Sequence, residues 1–124
     1  MKAFLKNYRQ APRKVRLVAD SVRGTQVAAA LDQLSLMPQK SAPVLRKLIA
    51  SALANAQQND SSIDAGDLVV RTITVDKGAT YVRYMPRAFG RATPINRECS
   101  HVRVELARPG VTASSVQDEA NATA

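Results

Sequence analysis

The chain has 124 residues, a formal net charge of +8, one histidine and one cysteine. This length predicts one domain with a single modest core. A run of about 18 apolar residues, as a membrane-spanning helix needs, is absent, and the N-terminus is too polar for a secretion signal. The single cysteine excludes an internal disulfide and a multi-cysteine zinc site. We therefore expect a cytoplasmic protein in which Cys99 is a reduced thiol.

The positive charge is concentrated in two segments, 1–19 and 77–97, that contain no acidic residue. Of the 18 Lys and Arg residues, 11 lie in these segments, which leaves seven against ten Asp and Glu residues. Clustered charge of this kind predicts a polyanionic partner. Arg outnumbers Lys twelve to six, which favours nucleic acid because guanidinium groups pair with phosphates and stack on bases. The candidate phosphate contacts are Lys2, Lys6, Arg9, Arg13, Lys14, Arg16, Lys77, Arg83, Arg87, Arg91 and Arg97.

The first half of the chain predicts a short strand followed by three helices. Residues 1–10 form the strand or an extended arm. Pro12 suits the first turn of a helix over about 12–23, and Gly24 is a typical helix stop. Apolar residues at helical spacing predict the three buried faces, which are Val15, Val18, Ala19 and Val22, then Val27, Leu31 and Leu34, then Val44, Leu45, Leu48, Ile49, Ala52, Leu53 and Ala56.

The second and third helices have candidate caps in their sequence. Thr25 is expected to cap a helix over about 26–36, and Ser41 to cap the third helix, with Pro43 in its first turn. The polar stretch 57–67 predicts a loop. A β-branched run over 68–75 then predicts a strand.

The return strand is expected over about 95–107, where Val102, Val104 and Leu106 alternate with polar residues. These elements predict an α+β domain over 1–110, with three helices packed on a small antiparallel sheet in the order β-α-α-α-β-β. The small, polar segment 111–124 is expected to be disordered.

Residues 76–104 predict a long β-hairpin that protrudes from this domain. About 12 residues from Asp76 to a tip near Ala88 would reach roughly 40 Å at about 3.3 Å per residue. An isolated hairpin is marginally stable in water, so a partner is expected to order it. Tyr81, Tyr84, Met85 and Phe89 lie among the arginines, a combination typical of surfaces that contact phosphates and stack on bases. Gly90 permits a tight turn.

His101 is the residue on which a catalytic hypothesis depends. Alternation places it on the same strand face as Cys99 but about 7 Å away, which is too far for a direct hydrogen bond. No nucleophile constellation, metal-ligand cluster or phosphate-binding glycine loop accompanies it. We therefore expect no catalytic residue and no metal. Two alternatives stay open: an RNA-processing enzyme centred on His101, and an architectural DNA-binding protein whose basic β-arm wedges the minor groove.

Several motifs in the same order resemble the bacterial form of the large-subunit ribosomal protein L twenty-two family. The most specific is Met85 to Ala92, with the sequence MPRAFGRA. The resemblance covers about residues 2–108, and its other segments are 14–20, 23–24, 51–56, 75–78 and 100–102. The sequence departs from the family at Phe89, where many members have a basic residue, and Tyr81 and Tyr84 are bulkier than usual.

The resemblance implies a structural, non-enzymatic constituent of the large subunit of the cytoplasmic ribosome, which needs no cofactor. Such a protein binds large-subunit ribosomal RNA, contacts neighbouring ribosomal proteins and aids assembly of the subunit. Its hairpin lines the polypeptide exit tunnel, where nascent chains and macrolide antibiotics come into contact with it. Neither a membrane nor a second copy of the chain is expected as a partner. The tip residues carried over from the family are Arg83, Tyr84, Met85, Pro86, Arg87, Ala88, Phe89, Gly90 and Arg91.

Overall fold

Three helices cover one face of a three-stranded antiparallel sheet in the computed structural model, which describes residues 1–109. This confirms the predicted α+β order with its long hairpin. The expected disorder of 111–124 lies outside the described residues. The elements are β1 (Lys2–Tyr8), α1 (Pro12–Val22), α2 (Val27–Leu36), α3 (Ala42–Asn59), β2 (Val69–Pro86), a 3-10 turn (Ala88–Gly90) and β3 (Ala92–Ala107).

α1 forms as its sequence predicts. Pro12 occupies the first helical position, where its missing N–H costs nothing. The four predicted apolar residues of this helix are all buried. The helix ends at Val22, one residue earlier than predicted, and Gly24 follows with a φ of +79°, which glycine adopts without steric cost.

The predicted side-chain caps of α2 and α3 are wrong. Thr25 precedes α2 by two residues and donates its hydroxyl to the carbonyl of Val22 at 2.7 Å, so it completes the end of α1 instead. Ser41 does occupy the N-cap position of α3, but its backbone is helical, with φ −80° and ψ −18°. Capping by a serine needs an extended backbone at that residue, and the buried Ser41 hydroxyl has no hydrogen-bond partner.

α2 and α3 complete the helical layer with a slightly different face from the one predicted. In α2, Val27, Ala30 and Leu34 are buried, whereas Leu31 is half-buried. α3 continues to Asn59, so the first three residues of the predicted polar loop are helical. Among the described residues, no helix is both long enough and apolar enough to cross a membrane.

β3 is the central strand of the sheet, with β1 and β2 as its neighbours. The register places Val104 between Ala3 on β1 and Ile73 on β2, and these three side chains are buried under the helices. Val102 and Leu106 continue the same face, as the alternation predicted. Burial of each such aliphatic side chain contributes about 1.5–3 kcal/mol. All of them lie where the three strands are paired, which we name the wide end of the sheet, so the core lies entirely at that end.

The outer edge of β2 is closed by groups that precede α2 in the chain. The N–H of Gly24 donates to the carbonyl of Val70 at 2.9 Å. Further along the edge, Arg23 donates to the carbonyl of Ile73 at 3.0 Å, and Arg16 donates through Nε and Nη2 to that of Val75 at 3.1 and 2.9 Å. Unpaired carbonyls on an edge strand attract other strands, and the guanidinium groups of Arg16 on α1 and Arg23 directly after it protect this edge.

Candidate nucleic-acid interface

The hairpin leaves the domain just beyond the last buried pair of the sheet. β2 and β3 stay paired from Thr80 opposite Glu98 to Pro86 opposite Ala92. Within 79–97 every residue is exposed except Ile95, which is half-buried. This part of the chain therefore has no core of its own, and the predicted projecting ribbon is confirmed.

The tip is a tight turn that is held by its backbone. The N–H of Arg87 donates to the carbonyl of Arg91 at 2.7 Å, and the guanidinium of Arg87 donates to the hydroxyl of Thr93 at 3.2 Å. Phe89 and Gly90 both have left-handed backbones, with φ of +60° and +69°. Such a conformation is unfavourable for phenylalanine, and Phe89 is 97% exposed, so no side-chain packing within the described chain compensates for it.

The pairing register sorts the hairpin side chains onto two different faces. Residues directly opposite each other in an antiparallel pair point to the same side of the ribbon. We name the paired part of the hairpin, residues 81–86 and 92–97, the shaft. Tyr81 lies opposite Arg97 and Arg83 opposite Ile95, so the two arginines of the shaft are on one face. We name it the cationic face, and its members are Tyr81, Arg83, Met85, Thr93, Ile95 and Arg97.

The opposite side of the shaft carries no charged side chain between residues 81 and 97. We name it the neutral face, and its members are Val82, Tyr84, Pro86, Ala92, Pro94 and Asn96. Sequence reasoning missed this division because the faces can be assigned only once the strand register is known. The alternation of side chains within each strand can be read from the sequence. The exact position of the turn, which determines which residues of the two strands lie opposite each other, cannot.

The predicted N-terminal contacts are all exposed, but some of them already have partners inside the protein. Lys2 forms an ion pair with Glu105 at 3.4 Å, and Lys77 one with Glu98 at 3.0 Å. Arg16 donates to the edge of β2 as described above. No carboxylate within residues 1–109 pairs with the other eight predicted cations, which are Lys6, Arg9, Arg13, Lys14, Arg83, Arg87, Arg91 and Arg97.

A polar cleft lies where β1 leaves the sheet and β3 continues into the hairpin. It has a volume of about 630 Å³, and its cations are Arg9, Lys14, Lys40 and Arg97. Lys40 comes from the loop between α2 and α3, and sequence reasoning did not group it with the others because it is isolated in the chain. The guanidinium of Arg9 also stacks on the ring of Tyr81, 5.2 Å from its centre, which joins the cleft to the cationic face.

His101 lies at the base of the hairpin, where its ring accepts a hydrogen bond. Its Nδ1 receives the backbone N–H of Asn7 at 3.1 Å. Cys99 is buried, and the part of the chain that the structure describes holds no group of three His, Cys, Asp or Glu residues suited to a metal. The ring thus has a structural contact between β1 and β3.

Two carboxyl groups have lowered pKa values, and both help to hold the domain together. At Glu105 burial acts to raise the pKa, but the charges and hydrogen bonds of Arg103 and Lys2 outweigh it, so the net shift is downward. At Asp60 hydrogen bonds from Ser62, aided by Arg108, lower the pKa. Burial raises the pKa of the Tyr8 hydroxyl. None of these groups lies on the exposed hairpin.

Comparison with known proteins agrees with this geometry. The model of the family described as ribosomal protein L22p/L17e matches residues 3–107. A large ribosomal subunit protein uL22 from Anaeromyxobacter sp. (strain Fw109-5) is 55% identical over 104 residues, covering 84% of this chain and 72% of the relative. The protein of the same name from Herpetosiphon aurantiacus is 50% identical over 103 residues, covering 83% of this chain and 90% of the relative.

The match includes all three helices, the whole of the hairpin with its turn, and all of the strands except Lys2 at the start of β1. It also agrees with the resemblance that the MPRAFGRA segment indicated, and it argues against an enzyme, since the family is one of ribosomal structural proteins. The chain therefore belongs to the ribosomal protein L22p/L17e family.

Proposed function

We propose that this protein is a structural constituent of the large subunit of the cytoplasmic ribosome and has no catalytic role. It binds large-subunit ribosomal RNA through the hairpin and the N-terminal cations, contacts neighbouring ribosomal proteins and aids assembly of the subunit. The observation that carries the proposal is the exposed hairpin, which has no core contact and carries Arg83 and Arg97, both without a carboxylate partner among the described residues, on one face. Such an arm gains a fixed position only against a polyanionic surface.

The two faces of the shaft indicate which side of the hairpin contacts RNA. Arg83 and Arg97, together with Tyr81, present charge and a stacking surface to RNA on the cationic face. The neutral face presents Tyr84, Pro94 and other uncharged groups, which is the surface that we assign to the lumen of the polypeptide exit tunnel. There it is the face that nascent chains pass and that macrolide antibiotics come into contact with, while the tip from Arg83 to Arg91 lies deepest.

The proposal is tested by sedimentation of ribosomal subunits from cells that express a tagged copy of the full chain. We expect the protein to travel with large subunits and to stay with them through a high-salt wash, because its arm would be enclosed by RNA. Recovery as free protein after a moderate wash would contradict an integral role.

A gel-shift comparison addresses the DNA alternative with the same protein. We expect tighter binding to structured ribosomal RNA than to a duplex DNA of equal length. Preferential binding to the duplex, accompanied by bending, would favour an architectural DNA-binding protein instead. Nuclease activity that disappears in His101→Ala would contradict the absence of catalysis.

A further inference from the structure

The face of the sheet opposite the helices carries side chains in rows that cross the three strands. The side chains that alternate with the buried ones point to this second face, and the register sets one residue of each strand side by side. Two adjacent rows, written in the order β1, β3 and β2, are Phe4, Arg103 and Thr74, then Lys6, His101 and Asp76. Lys6 belongs to the bulge between Leu5 and Tyr8, which lies opposite His101. The four members on the outer strands are exposed, so no other described part of the chain covers them.

These rows line a groove of about 560 Å³, which we name the sheet groove. One bare face is common in antiparallel sheets, so exposure alone does not indicate a partner. Here, however, Phe4 is 61% exposed, and its ring lies against the guanidinium of Arg103, 5.2 Å from the ring centre. Exposed aromatic and arginine side chains are enriched at protein–protein interfaces. The groove therefore has the composition of a surface that contacts another protein.

The charges of the sheet groove are balanced, unlike those of the hairpin and the polar cleft. Arg103 is neutralised by Glu105, with which it forms an ion pair. Lys6 and Asp76 remain, one of each sign, and neither has an ion-pair partner within residues 1–109. They lie on the two outer strands, two strand spacings or about 10 Å apart. Because the carboxylate of Asp76 repels phosphate, this pattern favours a protein segment over an RNA backbone.

We propose that the sheet groove binds an extended segment of a neighbouring large-subunit protein, in which an acidic residue that pairs with Lys6 and a basic residue that pairs with Asp76 lie two or three positions apart. An extended chain advances about 3.3 Å per residue, so this spacing covers roughly 7–10 Å and matches the separation of the two charges. An apolar side chain of the segment packs on Phe4. The inference rests on the proposed function and deepens it, since it gives the contact with neighbouring proteins a location and a chemistry. It also reassigns Lys6 from an RNA phosphate to a protein carboxylate.

The first test places the photocrosslinking residue p-benzoylphenylalanine at Thr74 of a tagged full chain, in large subunits purified from cells that express it. The matched control carries the same residue at Lys47, which is exposed on α3 in the helical layer. We expect irradiation to join position 74 to one segment of a large-subunit protein that has the acidic and basic residues at this spacing. Position 47 should not join to that segment.

Three results of this crosslinking experiment would overturn the inference. Crosslinks from position 74 to RNA alone would show that the groove meets nucleic acid instead of protein. A crosslink to a protein segment without the acidic and basic pair would overturn the assignment of the two charges. The absence of any crosslink from position 74 would overturn the docking surface itself.

The second test adds Asp76→Asn to the chain that carries the photocrosslinker at position 74. The matched control is Asp32→Asn, which removes an exposed carboxylate of α2. We expect Asp76→Asn to lower the yield of the protein crosslink about twofold to fivefold, as for the loss of one partly exposed ion pair, and Asp32→Asn to leave it unchanged. A phosphate partner predicts the opposite sign, because removal of the Asp76 charge would strengthen its binding. An unchanged or raised yield would therefore overturn the pairing of Asp76 with a basic residue.

The outcomes separate this inference from the function on which it rests. If the chain stays with large subunits through a high-salt wash but position 74 joins no protein, the sheet groove is not a docking surface and the proposed function stands. If the chain is recovered as free protein after a moderate wash, the proposed function itself fails. Thermal unfolding of Asp76→Asn should match the wild type, which excludes a folding defect as the cause of a lower yield.

Discussion

At the scale of single residues, the imidazole ring of His101 has close neighbours on two sides. His101 is held on one side by the Asn7 N–H, and Asn7 itself has a left-handed φ of +56°. On the other side lies Gly78. A Cβ atom built there would come within 3.0 Å of His101 Nε2 and 3.3 Å of the Cys99 carbonyl. The glycine is therefore required by space and not by its own backbone angle.

We predict that Gly78→Ala lowers the free energy of unfolding by about 1–3 kcal/mol, because the added methyl forces the ring away from the Asn7 N–H. Urea unfolding measures the change. Gly66→Ala is the matched control, since nothing lies within 4 Å of its added Cβ. That control should be neutral or stabilising by up to about 1 kcal/mol. Equal effects of the two changes would contradict the steric account.

Glu105 gives the domain a defined dependence on pH. Its pKa is lower in the folded chain than in the unfolded one because Arg103 and Lys2 outweigh the effect of burial. A lowered carboxyl pKa stabilises the fold above the unfolded value, which is about 4.3 for Glu, and this contribution is lost as the pH falls through the folded value.

We therefore predict that Glu105→Gln is less stable than the wild type near pH 7 and that the difference shrinks as the pH falls below about 4.3. Urea midpoints measured between pH 3 and pH 7 test this. A stability difference that stayed constant over that range would show that Glu105 acts by packing alone. Asp60, whose pKa is also lowered, would maintain part of the acid dependence in the variant.

At the scale of elements, the hairpin and the helical layer contribute to different properties. The buried side chains of β2 end at Val75, eleven residues before the end of the strand at Pro86. The free energy of unfolding therefore comes mainly from the wide end of the sheet, and a bound partner can change the conformation of the shaft without disturbing the core.

We predict that replacing 81–97 by an Asn-Gly turn changes the free energy of unfolding by no more than about 1 kcal/mol. The junction residues Thr80 and Glu98 are already paired, and Asn-Gly suits a two-residue hairpin turn. The main intramolecular loss is the stacking of Arg9 on Tyr81, which contributes about 0.5–1 kcal/mol at an exposed site.

The contrasting variant is Ile73→Ala, which removes a buried side chain from the same strand. It should cost about 2–5 kcal/mol. Denaturant unfolding of both variants tests the division between core and shaft. A loss of several kcal/mol in the shortened chain would show that the hairpin supports the core.

The elements were predictable from sequence to the extent that local patterns determine them. Helical spacing identified the buried face of α1, and alternation identified that of β3. The caps at Thr25 and Ser41 were not predictable, because the backbone angle of a cap depends on how the preceding turn packs. Lys40 and the two-faced shaft were also missed, since both depend on contacts between segments that are distant in the chain.

At the scale of the whole molecule, charge and core are separated in space. Most of the described cations without a carboxylate partner lie on the hairpin, on the arm before α1 and around the cleft, whereas the core lies under the helices. Binding to RNA should therefore be governed by ionic strength far more strongly than folding is.

We predict that the shortened chain, which lacks Arg83, Arg87, Arg91 and Arg97, binds the large-subunit RNA transcript with a salt slope reduced by about three. Each phosphate contact contributes about 0.7–0.9 to that slope. Filter binding over a series of salt concentrations measures it, and the N-terminal cations should preserve the remaining slope. An unchanged slope would mean that the hairpin arginines do not meet phosphates.

The side chains that donate hydrogen bonds to the outer edge of β2 reach only as far as Val75, whose carbonyl accepts from Arg16. From Tyr81 to the tip, no described group outside the hairpin donates a hydrogen bond to the backbone edge of either hairpin strand. A copy without RNA therefore offers two open edges to any other copy, and open edges are templates for aggregation. Repulsion between the arginines keeps copies apart, but salt screens it over about 10 Å at 0.1 M. We therefore expect protein in excess of its RNA to be the form most exposed to strand pairing.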